Sequence, residues 1–244
     1  MIASLCNDLK LPAIRREAER LGEEALRQGL SHMEFLQQLL ELETQERAER
    51  RARRRLNEAK FPLIKTFEGF DFSKNPSLPE PLLRKLADGG YINVAETVIF
   101  MGEPGTGKTH LATALGVAAA NQGRRVRFVS LGRLANELIE AKNSQNLSRI
   151  IGRYARIDLL ILDELGYLPL SPADAELVFQ VLSERTERRS MIVTTNLKFN
   201  EWTSVFPDPR LCRAVIDRLT HRSHIIDTGK SSIRLEEAKA RIGN

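Results

Sequence analysis

One octapeptide constrains this chain more than any other feature: Gly102-Glu103-Pro104-Gly105-Thr106-Gly107-Lys108-Thr109. It fits G-x-x-x-x-G-K-[ST] at every fixed position. The glycines let the main chain fold into a nest whose N–H groups converge on phosphate oxygens. Such a nest needs a strand before it and a helix after it, because the helix adds its positive end to the same anion. The flanks supply both: Thr97–Met101 reads as a strand, and Leu111–Ala120 forms the apolar body of a helix over residues 107–122. Lys108 is then expected on the β- and γ-phosphates, and the Thr109 hydroxyl on a metal ion. ATP and Mg2+ are the implied cofactors, and His110 directly follows the loop.

From about residue 82 onward, strand and helix patterns alternate, which is the signature of an α/β fold. Strand-like runs lie at Thr97–Met101, Arg125–Ser130, Leu159–Leu162, Met191–Thr195 and His224–Asp227. Helical runs lie near 107–122, 131–141, 146–156, 172–187 and 209–220. The run Leu159-Leu160-Ile161-Leu162 is continuously apolar rather than alternating. That suits parallel strands covered on both faces. The expected architecture is a mostly parallel five-stranded sheet between helices.

The strand Leu159–Leu162 ends in Asp163-Glu164. Alone, two acids at a strand end say little. Beside a phosphate loop, Asp163 can hold Mg2+ and Glu164 can act as general base on the attacking water. The strand Met191–Thr195 ends at Asn196, which either starts a turn or contacts the water or γ-phosphate. Arg210, Arg213, Arg218 and Arg222 are read onto a C-terminal helix, with Arg234 after the last strand. Each is ordinary solvated charge or a fork of donors for phosphate.

The first sixty residues are rich in helix formers and read as a small helical domain. Gly29-Leu30-Ser31 breaks it, with Ser31 and Glu34 as a capping box. Net charge is +5, and its placement matters more than its size. Arg47, Arg50, Arg51, Arg53, Arg54, Arg55 and Lys60 face only two acids, Glu49 and Glu58, so this segment carries a net charge equal to that of the whole chain. It is either a solvated helix face or a surface for a polyanion. Phe61-Pro62 ends the helix. Residues 61–81, with four prolines and Phe67, Phe70 and Phe72, read as a linker pressed on the next domain. Phe70 and Phe72 are expected in the core or, less simply, near adenine. Residues 82–244 form the remaining domain.

Apolar residues make up 42% of the chain, but no run is long enough to span a membrane. The N-terminus has no secretory pattern, and the two cysteines, Cys6 and Cys212, lack metal-ligand spacing. A cytoplasmic protein with free thiols is expected.

The chain resembles the IstB-type transposition helper ATPases, kin of the DnaC helicase loaders within the AAA+ proteins. The residues that carry this are Lys65–Phe72, Gly102–Thr109, Asp163-Glu164-Leu165-Gly166-Tyr167, Thr194-Thr195-Asn196, Ile216-Asp217-Arg218-Leu219 and Ser232-Ile233-Arg234. The resemblance implies an AAA+ ATPase without a separate C-terminal lid. It implies that Arg218 is an arginine finger reaching a neighbour's ATP, Asn196 the first sensor and Arg234 the second. Ile233 stands where the family usually has Tyr. It also implies a homo-oligomer with ATP at subunit interfaces, assembling on duplex DNA and recruiting a cognate transposase, with hydrolysis driving release. Two other readings remain at this point. A helicase loader shares the ATPase core and differs in what its N-terminal region grips. A small-molecule kinase fits poorly, because the Asp163-Glu164 pair suits water activation.

Overall fold

The computed structural model describes residues 2–230 and Ser232, so Arg234 lies outside the described residues. The chain divides into two compact units, one ending at Arg54 and the other beginning at Arg55. This division falls inside the basic run rather than at residue 60.

In the first unit, α1 (Ile2–Asp8) and α2 (Pro12–Gln28) precede α3 (His32–Ala59). The expected break between α2 and α3 is present. Gly29 adopts the left-handed conformation, the Ser31 amide donates to the Glu34 carboxylate at 2.8 Å, and the Glu34 amide donates back to Ser31 Oγ at 3.3 Å. A second break divides α1 from α2, where Lys10 has φ 56° and Pro12 opens the helix. Cys6, Ile14 and Leu39 form a small core with Leu11, Ala18, Leu21 and Phe35. Glu43 is buried and accepts from the amides of Ala13 and Ile14 at 2.8 and 3.3 Å, which caps α2 from α3.

In the second unit, α3 stops at Ala59, with Lys60 at φ 60°. Residues 61–79 contain one short 3-10 turn, Phe72–Lys74, with the Ser73 amide capped by Asp71. Phe67 and Phe70 are buried, and Phe72 packs edge-on to Phe70 at 4.9 Å between ring centres. Then come α4 (Glu80–Ala87), α5 (Gly90–Asn93), β1 (Thr97–Met101), α6 (Lys108–Asn121), β2 (Val126–Ser130), α7 (Leu131–Asn143) and α8 (Leu147–Ala155). The chain continues through β3 (Leu159–Leu165), α9 (Pro172–Arg185), β4 (Ser190–Thr195), α10 (Pro209–Thr220) and β5 (Ser223–Asp227). Arg222 therefore lies past α10, not on it. It takes φ 52° in the turn into β5, because the chain must reverse there to lay β5 beside β1.

The sheet order is β2-β3-β4-β1-β5, and every neighbouring pair is parallel. Alternate side chains enter two cores. Val98, Phe100, Leu159, Ile161 and Ile192 meet Leu111, Leu115, Leu83 and Phe67 on the α6 side. Ile99, Leu160, Leu162, Met191 and Val193 meet α7, α8, α9 and α10 on the other. Both faces are dry, which explains the uninterrupted apolar runs. Because β4 separates β1 from β3, the carboxyl ends of those three strands adjoin, the usual place for a ligand in an open α/β sheet.

Candidate functional site

The octapeptide leaves β1 and enters α6 as a tight nest. Gly102, Gly105 and Gly107 have φ 151°, 85° and 96°, conformations that L side chains rarely adopt. Gly102 is also closely crowded: a Cβ there would stand 2.4 Å from Thr228 Oγ1 and 2.8 Å from the Gly229 carbonyl oxygen. The Gly102 amide donates to the Thr195 carbonyl of β4 at 3.3 Å, and the Glu103 amide to the Gly229 carbonyl at 3.0 Å. The loop is thus tied to both strands that flank β1. Lys108 Nζ curls back over it and donates to the carbonyl oxygens of Gly102 and Glu103, both at 2.7 Å.

Asp163 continues the Leu159, Ile161 series toward α6, so its buried carboxylate meets the first turn of that helix. Thr109 Oγ1 donates to Asp163 Oδ1 at 3.0 Å. Thr194 Oγ1 donates to the same oxygen, and the Glu164 amide donates to Thr194 Oγ1 at 3.0 Å. Between the pairs Leu162–Val193 and Leu165–Thr195 the register shifts, so Asp163 and Glu164 together oppose Thr194. This bulge turns Glu164 out of the sheet at φ 60°, exposed to solvent. Asn196 follows the end of β4 and is exposed. It lies against Gly166, where a Cβ would come within 2.8 Å of Asn196 Oδ1.

This arrangement has the donors that a triphosphate and its metal need. The nest and the N-terminus of α6 supply amides for an anion. Thr109 and Asp163 bring a hydroxyl and a carboxylate to one point, a hard-oxygen set suited to magnesium. Among the described residues no group of three or more His, Cys, Asp and Glu forms a cage, so phosphate and water would have to complete such a shell.

Residues 4–241 match the IstB-like ATP binding protein family. The chain belongs to that family. It is 39% identical over 235 residues to a protein of insertion sequence IS21 from Pseudomonas aeruginosa, described as ATP-binding, covering 96% of this chain and 89% of the relative. A counterpart in insertion sequence IS5376 of Geobacillus stearothermophilus is 35% identical over 238 residues, covering 98% and 95%. In fold, the chain is similar to AMPPCP-bound DnaA from Aquifex aeolicus, with TM-score 0.59, 19% identity, and 75% of this chain and 55% of that one covered. It is also similar to the DnaC helicase loader, with TM-score 0.56, 21% identity, and 71% and 98% covered. The fold of this IstB-like chain is that of the AAA+ proteins.

The remaining expected residues of the IstB-like chain are dispersed. Arg218, on α10, stacks its guanidinium over the Phe179 ring of α9 at 4.5 Å. Arg210 and Arg213 are exposed on the same helix. His110 lies beside the nest, but its Nε2 meets the Thr66 carbonyl at 2.9 Å and its ring packs edge-on to Phe70 at 5.1 Å. Since a carbonyl only accepts, Nε2 carries the proton. Burial, and then repulsion from Lys65, hold the pKa of His110 below its ordinary value against the pull of that carbonyl.

The residues of the basic run differ in their partners and exposure. Arg47 Nε donates to Glu43 at 2.9 Å, and Arg50 approaches Glu43 and Glu46 at 3.7 and 3.6 Å. Burial raises the pKa of Glu43, but Arg47 and the two α2 amides outweigh it and hold the carboxyl low. Arg55 donates to the Gly123 carbonyl at 3.2 Å and to Glu58 at 2.7 Å. Arg51, Arg53, Arg54 and Lys60 are exposed. Arg51 and Arg53 have no ion-pair partner among the described residues. Sequence reasoning treated all seven alike, because it counted charge without weighing the i,i+4 pairing of Glu43 with Arg47, and because the Gly123 carbonyl that holds Arg55 comes from another element. It placed Thr106 in the phosphate loop but missed Thr194 and Thr228 as structural members of the site. Thr194 was visible in the Thr-Thr-Asn run, whereas nothing local marks Thr228.

Proposed function

We propose that this protein is an ATP-hydrolysing regulator of transposition that assembles on target duplex DNA, engages its partner transposase and disassembles when ATP is spent. The observation that carries this reading is the meeting, at three adjoining strand ends, of the amide nest, Lys108, the Thr109–Asp163 pair and the outward-turned Glu164. The insertion-sequence relatives support a role in transposition.

Each residue then has a task. Lys108 leaves the Gly102 and Glu103 carbonyls for the β- and γ-phosphates, exchanging two neutral acceptors for anionic ones. Thr109 and Asp163 hold Mg2+, which when bound neutralises phosphate charge. Glu164, exposed and without a side-chain hydrogen bond among the described residues, takes the proton of the attacking water. Asn196 orients that water. Arg218 exchanges Phe179 for a neighbouring subunit's γ-phosphate, so the complete site lies between subunits. Arg234 is the second sensor.

Residues 1–60 act as the DNA- and partner-facing helical domain, 61–81 as its linker and 82–244 as the ATPase domain. The protein works in the cytoplasm. Arg51, Arg53, Arg54 and Lys60 carry most of the DNA contact, and phosphate contacts of this kind bind without sequence preference. The likeness to the DnaC loader is one of fold, and no observation favours a loading role over a transposition role.

DNA binding by the whole chain, titrated against salt, tests the reading. The affinity should fall steeply with salt, and Arg51→Glu with Arg53→Glu should flatten the slope by about two phosphate contacts, since each contact contributes nearly one unit to it. An unchanged slope removes the basic helix as the DNA surface.

A further inference from the structure

A buried polar chain runs behind the phosphate loop. Thr106 and Thr228 are both fully buried, and their hydroxyl oxygens stand 2.6 Å apart, although 122 residues separate them in sequence. Thr106 Oγ1 donates to the Glu103 carbonyl at 2.9 Å, the same oxygen that receives Lys108 Nζ. The Thr228 amide already donates to the Met101 carbonyl at 2.7 Å, and the Thr228 hydroxyl lies 3.1 Å from that oxygen. Each hydroxyl has one proton to give. One arrangement that satisfies both has Thr228 donating to Thr106 and Thr106 donating to Glu103, with the Thr228 amide on Met101; the other has Thr106 donating to Thr228 and Thr228 to Met101. On its other side, the Thr228 carbonyl accepts from buried Asn75 Nδ2 at 2.8 Å. The chain therefore joins the segment before α4, the exit of β5 and the loop that ends in Lys108.

The structure assigns Thr228 as a positioning residue for the phosphate loop, acting through Thr106. Lys108 donates to the Gly102 and Glu103 oxygens. When Lys108 turns to phosphate, those oxygens lose their cation; the exposed Glu103 oxygen is open to water, but the Thr106 and Thr228 hydroxyls behind it are fully buried, and a buried hydroxyl left unpaired is costly. In the first arrangement Thr106 keeps the Glu103 oxygen bonded in either state, and Thr228 fixes Thr106 for that task. The nest then holds its shape while its lysine moves, so the loop is preorganised for the anion. Thr228 also lies against the loop directly, since a Cβ on Gly102 would stand 2.4 Å from Thr228 Oγ1.

This inference rests on the ATP-binding reading above, and nucleotide titration of the whole chain separates the two. Thr228→Val keeps the shape and removes the hydroxyl, whereas Thr228→Ser keeps the hydroxyl. Thr228→Val should weaken ATP binding about tenfold, equivalent to about 1.4 kcal/mol, with turnover at saturation little changed. Thr228→Ser should bind within about twofold of the unaltered protein, and Thr106→Val combined with Thr228→Val should be no worse than Thr228→Val alone. Were Thr228→Val not to fold, Thr106→Val reads the same link from the other end and should weaken binding comparably. Failure of the unaltered protein to bind nucleotide would overturn both readings. Normal binding by Thr228→Val, or by Thr106→Val where that is the folded variant, overturns this one alone. Additive losses in the double variant overturn it as well.

Discussion

Glu164 holds a backbone conformation that non-glycine residues seldom take, φ 60°, on a strand that could have continued straight. Such strain costs about 1 kcal/mol or more and persists only where surrounding contacts impose it. Here they are the Thr194 hydroxyl on the Glu164 amide and the β3–β4 register shift. The benefit is an exposed carboxylate one residue from a buried one. Asp163 is occupied by Thr109 and Thr194, so only Glu164 is available to a water. Glu164→Gln should therefore leave ATP affinity within about twofold while lowering phosphate release about a hundredfold or more. Paired binding and single-turnover assays check this, and undiminished turnover would remove Glu164 as the base.

At the scale of elements, Glu43 joins α3 to the start of α2 through two amides and Arg47. Its folded-state pKa is depressed, so its stabilising effect is complete above the unfolded-chain value near 4.3 and fades as pH falls through the lower folded value. Glu43→Ala should cost about 1–2 kcal/mol of α2 protection, read by amide hydrogen exchange at Ala13 and Ile14. The unaltered protein should lose stability below about pH 4 more steeply than Glu43→Gln in urea titrations. Equal slopes would show that Glu43 is not the group responsible. The elements themselves were largely legible. All five strands were legible, and β1, β3 and β4 stood out as apolar runs because both their faces are dry, although β3 continues to Leu165 through a bulge that apolar pattern alone cannot register. The α1–α2 break was overlooked because helix formers flank it on both sides, although Pro12 marked it. The phosphate loop was legible because its residues are contiguous. The Thr106–Thr228 contact was not, because it is made only when β5 returns beside β1.

The whole molecule gathers Lys108, Asp163 and Glu164 at one end of the sheet, while Arg218 lies on α10 against Phe179. An arginine that completes a neighbour's site makes catalysis a property of the assembly. Mixing Glu164→Gln with Arg218→Ala should then restore part of the ATPase activity that each lacks, because some interfaces pair an intact Glu164 with an intact Arg218. Mixtures as inactive as their components would place the arginine finger elsewhere. The central claim is simpler, that the nest and Lys108 hold a triphosphate. Calorimetric titration of the purified chain with ATP and magnesium tests it most directly. The account predicts one nucleotide per chain, with affinity falling about a hundredfold in Lys108→Ala as a charge-assisted anchor is lost. Absent binding, or binding indifferent to Lys108, would contradict it.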